Sequence, residues 1–210
     1  HERSRRQRQM CIRDSGDTLG AMAVGDRSSF CEPFADHLFD CERLPFPDDN
    51  NIEAVARQLT KVCARGDVAG FIFEPLVQGT AGFRMTSPRL LQRLIDVAQS
   101  HGVLTIADEV MTGFGRTGDL FACSTLDRGP DLICLAKGLT GGTLPLAVTA
   151  CRARIFEAFL SDDATKTFFH GHSYTANPLA CAAALASLDI LLDEDSAASR
   201  QRIQLSLIHI

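Results

Sequence analysis

The sequence predicts an α/β protein whose sheet is mostly parallel and flanked by helices. Two observations carry this prediction. The strand candidates are continuous apolar runs without polar alternation, which is typical of strands covered on both faces. Stretches with helical periodicity lie between them along the chain. The length of 210 residues and the 45% hydrophobic content fit one globular domain and exclude a disordered chain.

The first elements are defined by periodicity and by their end signals. Residues 52–63 repeat apolar side chains at helical spacing, and Gly66 closes that helix. Residues 70–76 (GFIFEPL) are predicted to form a buried strand. Ser87 is placed to cap a helix in which Pro88 occupies a position that needs no N–H. The dipeptide His101-Gly102 ends this helix.

The remaining elements continue the same alternation. The predicted strands are residues 103–107, 131–136 and 146–151, and the predicted helices are residues 153–160 and 178–192.

The two ends of the chain differ from its body. Residues 1–15 are basic, and no apolar secretory segment follows them. Residues 201–210 end in LSLIHI, which contains no helix-capping or turn motif. We therefore expect both ends to be foreign or artefactual. Residues 16–200 are expected to form part of one large domain, which is incomplete.

Charge and cysteine content narrow the class of protein. The net charge is −5 although five of the 21 basic residues lie in residues 1–15, so the body is acidic and neither nucleic acid nor an anionic membrane is an expected partner. The eight cysteines contain no C-x-x-C pair and lie mostly among apolar residues. A reduced, cytoplasmic protein is the expectation.

Three polar side chains follow predicted strands. Glu74 comes after FIF, Asp108 after LTIA and Lys137 after DLICLA. Because ligands of open parallel sheets bind beyond the carboxyl ends of the strands, these three residues mark the candidate site.

A glycine loop offers a competing interpretation. Gly113, Gly115 and Gly118 have the G-x-G-x-x-G spacing of a dinucleotide-binding turn. In that motif the glycines join strand and helix directly, since the helix N-terminus binds the pyrophosphate. Here DEVMT separates them from the strand, and Gly129-Pro130 follows too soon for a long helix. A nucleotide-binding module is therefore disfavoured but stays open.

Metal and serine-hydrolase sites have weaker support. Asp108, Glu109, His170 and His172 could be combined into a metal site, but H-x-H without a third nearby ligand is common by chance. Loop histidines that form hydrogen bonds are the better interpretation, and no metal is expected. No G-x-S-x-G elbow occurs. Glu109 has no role that the sequence defines.

Lys137 and Asp108 together point to pyridoxal 5′-phosphate. A desolvated lysine at the end of a buried strand can form a Schiff base with a carbonyl, although such a lysine can also simply extend to solvent. Pyridoxal phosphate needs such a lysine, and it needs an acid beside its pyridine nitrogen. Residues on successive strand ends could reach opposite ends of one ring, which gives both side chains a role.

Four segments then reveal a family resemblance. EPLVQGTAGFRM, ADEVMTGFGRTGDLFAC, DLICLAKGLTGGTLPLAVT and FFHGHSYTANPLACAAALASL resemble the class III, fold-type I pyridoxal-phosphate aminotransferases, with likeness from about Gly16 to about Glu194. The motifs GRTGxxFAC, LTGGTLPLAVT and FFHGHSYTxNPLAC are more similar to the biotin-synthesis branch than to the ornithine or 4-aminobutyrate branches.

The resemblance implies a set of cofactor residues. Lys137 is the Schiff-base lysine and proton shuttle, and Asp108 pairs with the pyridine nitrogen. Val110 packs on one face of the ring, and Glu74 lies beside the ring hydroxyl or the substrate. Ser173 binds the cofactor phosphate across the interface of a homodimer.

The resemblance also implies substrate residues and shows departures. Asp17, in SGDTLGAM, lies near the substrate amine, and Arg116 lies near the substrate pocket. Asp14 and Ser15 replace the family's tyrosine and histidine, so the ring-stacking aromatic is missing. Met111 stands where many relatives have glutamine, which disfavours a 4-aminobutyrate-type enzyme.

The activity implied for the whole enzyme is transamination in biotin biosynthesis. S-adenosylmethionine gives its amino group, and 8-amino-7-oxononanoate accepts it to become 7,8-diaminononanoate. The fragment alone is expected to be inactive. The alternatives to this function are another class III ω-amino-acid aminotransferase and a non-catalytic fragment.

Overall fold

The computed structural model describes residues 18–25, 27, 29, 31–169, 171 and 173–207. The chain divides into two units, one ending at Pro45 and the other beginning at Phe46. In the first unit, helix α1 (Leu19–Val24) is capped by the Thr18 side chain, and a 3₁₀ helix spans Glu32–His37. Arg43 donates hydrogen bonds to the backbone oxygens of Ala23 and Gly25, which fixes the end of α1.

The second unit contains the sheet and the remaining helices. In chain order these are α2 (Ile52–Cys63), β1 (Gly70–Phe73), β2 (Val77–Gln78), β3 (Arg84–Met85), α3 (Pro88–Ser100), β4 (Leu104–Asp108), β5 (Leu132–Leu135), β6 (Val148–Cys151), α4 (Ala153–Glu157), α5 (Pro178–Leu192) and α6 (Glu194–Leu207).

The main sheet has the order β1-β4-β5-β6. Strands β1, β4 and β5 are parallel, with Phe73 opposite Ala107 and Asp108 opposite Cys134. The prediction of a mostly parallel sheet is confirmed. Strand β6 is antiparallel to β5. Neighbouring parallel strands need a long crossover, usually a helix, but β5 and β6 are joined only by a 3₁₀ helix (Lys137–Thr140) and a turn.

Helices α2 and α3 pack together, and α3 packs against β4 of the sheet. Their buried residues follow the predicted helical spacing, with Val55, Leu59, Leu91 and Ile95 almost inaccessible to solvent. The Ser87 hydroxyl accepts a hydrogen bond from the N–H of the third helical residue, which confirms the predicted cap.

Most predicted elements have the expected position, and four are shorter. The strands predicted at 131–136 and 146–151 span Leu132–Leu135 and Val148–Cys151. The first strand ends at Phe73, before Pro75, because proline cannot donate to a sheet and Leu76 has a φ of 62°. Helix α4 ends at Glu157, beyond which the bond from Leu160 N to Glu157 O is of the tighter 3₁₀ type.

The C-terminal helices expose much of their apolar surface. Helix α5 has the predicted bounds, but Leu179, Leu185 and Ile190 on it are largely accessible. Helix α6 continues through Leu207, into the segment that the sequence marked as a tail. Within the described ranges, no helix is long and apolar enough to span a membrane.

Candidate active site

The predicted site residues on the parallel strands meet at one edge of the sheet. Glu74 directly follows β1, Asp108 is the last residue of β4, and Lys137 lies two residues after β5. Because these strands run in the same direction, their carboxyl ends lie side by side. Glu74 and Asp108 are half-buried, and Lys137 is accessible.

The charges of Asp108 and Lys137 both act on the pKa of the Glu74 carboxyl. Burial raises the pKa of its carboxyl, and the negative charge of Asp108 raises it further. The N–H of Gly79, which donates to Glu74 Oε2 at 2.9 Å, and the positive charge of Lys137 lower this pKa. All three side chains therefore share one electrostatic environment.

A methionine forms an apolar wall beside Glu74. Met111 packs so closely over Gly79 that a Cβ at that glycine would lie 2.9 Å from Met111 Cε. The same Cβ would lie 3.5 Å from Glu74 Oε2. A thioether contributes no hydrogen bond of comparable strength, so the carboxyl depends on the backbone N–H of Gly79.

Asp108 is oriented by the backbone that follows it. The N–H of Val110 donates to Asp108 Oδ1 at 3.0 Å. No donor to Oδ2 occurs in the part of the chain that the structure describes, and the carboxylate therefore retains an acceptor at the open edge. The N–H of Glu109 continues the strand pairing by donating to the backbone oxygen of Cys134 at 3.0 Å.

Lys137 occupies a strained backbone conformation. Its φ of 48° lies in the left-handed region, which costs a residue with a side chain about 1–3 kcal/mol and concentrates at functional sites. The next residue, Gly138, is in close contact with Phe114 of the glycine loop, and the φ of Phe114 is also positive, at 61°. The surroundings therefore hold the start of the lysine side chain in one direction.

Glu109, to which the sequence analysis assigns no role, is a buried anchor. Its carboxylate is inaccessible to solvent. The Thr112 hydroxyl donates to Oε2 at 2.7 Å, the N–H of Ala122 donates to Oε2 at 3.1 Å, and the N–H of Cys123 donates to Oε1 at 2.8 Å. The sequence does contain a signal for this role: Glu109 directly follows Asp108, and side chains of consecutive residues in an extended chain point to opposite faces.

The glycine loop does not have the geometry of a dinucleotide-binding turn. The N–H groups of Gly113, Gly115 and Gly118 are bonded to backbone oxygens within the loop. The loop leads into a short 3₁₀ helix (Ala122–Thr125), and the Glu109 carboxylate already accepts the N–H groups at its start. A pyrophosphate therefore has no free helix N-terminus here.

The other predicted site residues are not joined to this cluster. Arg116 is exposed in the glycine loop, and Ser173 is exposed in the turn before α5. Between 18 and 207, in the described ranges, neither forms a hydrogen bond or ion pair with the strand-end residues. Asp17, His170 and His172 lie outside the described residues.

A metal site has no support in the described part of the chain. No group of three His, Cys, Asp or Glu side chains there could hold an ion. Both oxygens of Glu109 are already bonded to protein donors. Every cysteine within those ranges is a free thiol.

Comparison with known proteins connects this geometry to one family. Residues 3–209 match the family described as Aminotransferase class-III. An adenosylmethionine-8-amino-7-oxononanoate aminotransferase from Synechococcus elongatus is 53% identical over 189 residues, which cover 86% of this chain and 45% of the relative. The enzyme of the same name from Nitratidesulfovibrio vulgaris is 43% identical over 206 residues, covering 91% of this chain and 38% of the relative.

Solved structures agree with this relationship. The enzyme of that name from Methanocaldococcus jannaschii superposes with a TM-score of 0.76 at 35% identity, covering 87% of this chain and 43% of its own. An amine transaminase from an uncultivated Pseudomonas species, solved with PLP bound, gives 0.77 at 35% identity, covering 85% and 43%. The chain spans less than half the length of each of these proteins.

Proposed function

The chain belongs to the class III aminotransferases, and we propose that residues 16–200 form part of the large domain of a pyridoxal 5′-phosphate enzyme of biotin biosynthesis. The enzyme transfers an amino group from S-adenosylmethionine to 8-amino-7-oxononanoate. The observation that carries the proposal is the cluster of Asp108, Lys137 and Glu74 at the carboxyl edge of a parallel sheet.

The side chains at this edge fit pyridoxal phosphate. Pyridoxal phosphate has an aldehyde that reacts with an amine and a ring nitrogen that pairs with an acid. The edge offers one lysine and one aspartate whose Oδ2 has no donor among the described residues. When bound, the cofactor supplies an electron-accepting ring that makes the substrate Cα–H bond acidic. The chain supplies the groups that hold the ring and move the proton.

Lys137 has two tasks in this proposal. Its Nζ would hold the aldehyde carbon of the cofactor, and as a free amine it would carry the proton from the substrate Cα to that carbon. The left-handed backbone at Lys137 and its contact with Phe114 through Gly138 favour one starting direction for the side chain.

Asp108 and Val110 act as a unit. Asp108 Oδ2 would accept a hydrogen bond from the protonated ring nitrogen of the cofactor and so keep that nitrogen charged, while Oδ1 is held by the Val110 N–H. This bond ties the direction of the carboxylate to the position of the side chain that packs on the ring. Glu74 lies beside the ring hydroxyl or the substrate.

The remaining residues bind substrate and phosphate. The family resemblance assigns Arg116, which is exposed in the glycine loop, to the substrate pocket, and it assigns Asp17, which lies outside the described residues, to the substrate amine. Ser173 binds the cofactor phosphate of a partner subunit in a homodimer. The exposed Phe168, Phe169 and Tyr174 beside Ser173 support an interface there. The free thiols support a reducing, cytoplasmic location.

The substrate is supported by the names of the relatives. The similar proteins from Synechococcus elongatus and Nitratidesulfovibrio vulgaris share the name adenosylmethionine-8-amino-7-oxononanoate aminotransferase. The PLP-bound amine transaminase superposes equally well, which favours another amine or ω-amino acid as the second candidate. Assays of the full-length protein with 8-amino-7-oxononanoate as acceptor and S-adenosylmethionine or simple amines as donors separate the two.

Borohydride reduction tests the cofactor assignment. The full-length protein is expected to show a visible absorption band that reduction fixes covalently on Lys137, as located by peptide mass spectrometry. Lys137→Ala abolishes the band and the label. Lys61→Ala and Lys166→Ala, at accessible lysines on α2 and in a 3₁₀ helix, serve as controls that retain both. A band that persists in Lys137→Ala contradicts the proposal.

Subunit mixing tests the shared site. We expect Ser173→Ala and Lys137→Ala to be impaired separately. After the two variants are mixed and allowed to exchange subunits, roughly one quarter of the wild-type activity is expected, because half of the dimers are mixed and each contains one intact site. A mixture no more active than its components contradicts a phosphate contact across the interface.

A further inference from the structure

We propose that Glu109 is a positioning residue for the cofactor site, acting from the buried side of the strand end that carries Asp108 and Val110. The inference rests on the proposed function, since it concerns the binding of the same cofactor. Glu109 touches neither cofactor nor substrate and acts through the backbone on both sides of it.

Glu109 lies behind the site, on the buried side of the end of β4. Asp108 and Val110 are both partly accessible at the open edge, whereas Glu109 between them is fully buried. The strand β4 ends at Asp108 and the backbone turns at Val110, so Glu109 is the residue that joins the strand to the turn. Any displacement of Glu109 therefore moves Asp108 and Val110 together.

The Glu109 carboxylate closes the loop that carries Arg116. Thr112 lies near the start of this loop, and Ala122 and Cys123 lie at its end, 13 and 14 residues after Glu109. Three donors converge on two oxygens of one side chain. The loop is thereby fixed at its base by a group whose own backbone is paired with β5 through Cys134.

The three hydrogen bonds at this anchor require a carboxylate. No arginine or lysine pairs with it in the described ranges, so the three hydrogen bonds alone stabilise the buried carboxylate. Burial and this negative charge raise the pKa of the Cys123 thiol. An amide cannot replace the carboxylate, because its NH₂ group would face the N–H of either Ala122 or Cys123.

The loop offers little room to adjust if this anchor is lost. The N–H of Gly113 donates to the backbone oxygen of Glu109 at 2.9 Å, and a Cβ on Gly113 would lie 2.8 Å from that oxygen. A loop that is packed this closely to its anchor transmits a change at Glu109 to the segment that carries Arg116.

The test compares Glu109→Gln with Asp131→Asn in the full-length holoenzyme. Asp131 is also a buried carboxylate that accepts two hydrogen bonds from Thr105, but it precedes β5 and lies at the opposite end of the strands. Both variants are expected to lower Tm. Only Glu109→Gln is expected to change the visible circular dichroism of the bound cofactor, which reports its orientation, and to lower kcat about 10- to 100-fold.

A second pair of variants guards against misfolding of Glu109→Gln. Thr112→Val removes one of the three donors and is expected to change the dichroism in the same direction by a smaller amount, while Thr112→Ser retains the wild-type signal. Unchanged dichroism and kcat in both Glu109→Gln and Thr112→Val, with Tm lowered as in Asp131→Asn, would overturn the inference. A wild-type protein without any visible band contradicts the proposed function instead.

Discussion

Gly138 is the position where a single methyl group is predicted to disturb both stability and catalysis. It follows Lys137 and lies against Phe114 of the glycine loop. A Cβ added at Gly138 would lie 2.9 Å from Phe114 Cβ, 3.0 Å from Cδ2 and 3.2 Å from Cγ. Ordinary contacts of this kind begin at 3.4 Å, so Gly138→Ala forces the two segments apart by about 0.5 Å.

The cost follows from the rigidity of the neighbour. The closest atom is the Cβ of Phe114, which cannot rotate away, and the φ of 61° at this residue fixes its backbone. The ring also packs edge-on against Phe121 at 5.6 Å. We expect the free energy of unfolding to fall by about 1–3 kcal/mol, which is typical of overpacking.

The catalytic effect follows from the same displacement. Catalytic groups need to be held within about 0.5 Å of their productive positions, so a shift of this size at Lys137 is expected to lower kcat about 10-fold. Urea denaturation measures the stability and single-turnover kinetics measure the chemical step in the full-length enzyme. Gly129→Ala is the control, because a Cβ there meets no atom within 4 Å. Wild-type stability and kcat in Gly138→Ala would contradict the predicted clash with Phe114.

Three further predictions follow from the charged groups. Asp108→Asn is expected to bind the cofactor but to lose about 100-fold or more in turnover, because a neutral amide no longer keeps the ring nitrogen protonated; near-normal rates contradict this role. Burial and Asp108 raise the pKa of Glu74, so its stabilising contribution is present at acid pH and is lost as the pH rises through the raised value. The Glu74→Gln variant retains an acceptor for the Gly79 N–H. Its free energy of unfolding relative to wild type, measured by urea titration, should increase from acid to neutral pH. A difference that stays constant with pH argues against the raised pKa of Glu74. Burial favours a higher pKa for the Asp131 carboxyl, but the hydrogen bonds that Thr105 and Arg154 donate outweigh burial, and the pKa lies below its ordinary value. The loss of stability in Asp131→Asn is therefore expected to be largest at neutral pH and to shrink as the pH falls through the lowered value; a deficit that grows in acid contradicts this.

The elements of the large unit could be predicted because their signals are local. Periodicity and the Ser87 cap give the bounds of α2 and the start of α3, and continuous apolar runs give the strands. Glu74, Asp108 and Lys137 follow these strands directly, so placing the strands in a parallel sheet also placed the three side chains at one edge.

The direction of β6 could not be predicted in the same way. An apolar strand has the same pattern whether its neighbour is parallel or antiparallel. The connection between β5 and β6 decides the direction, and it contains no crossover helix. The left-handed conformation of Lys137 could not be predicted either, because left-handed backbone is normally a property of glycine and here depends on the surrounding packing.

The alternation of helices and strands, the family and the residues at the strand ends can all be predicted from the sequence, because each of these depends on neighbours a few positions apart. The role of Glu109 depends on tertiary contacts. Its partners Ala122 and Cys123 are 13 and 14 residues away, and they reach its carboxylate only because the glycine loop folds back on the strand end. A buried charge is tolerated there because donors from a distant part of the chain replace the water that it loses.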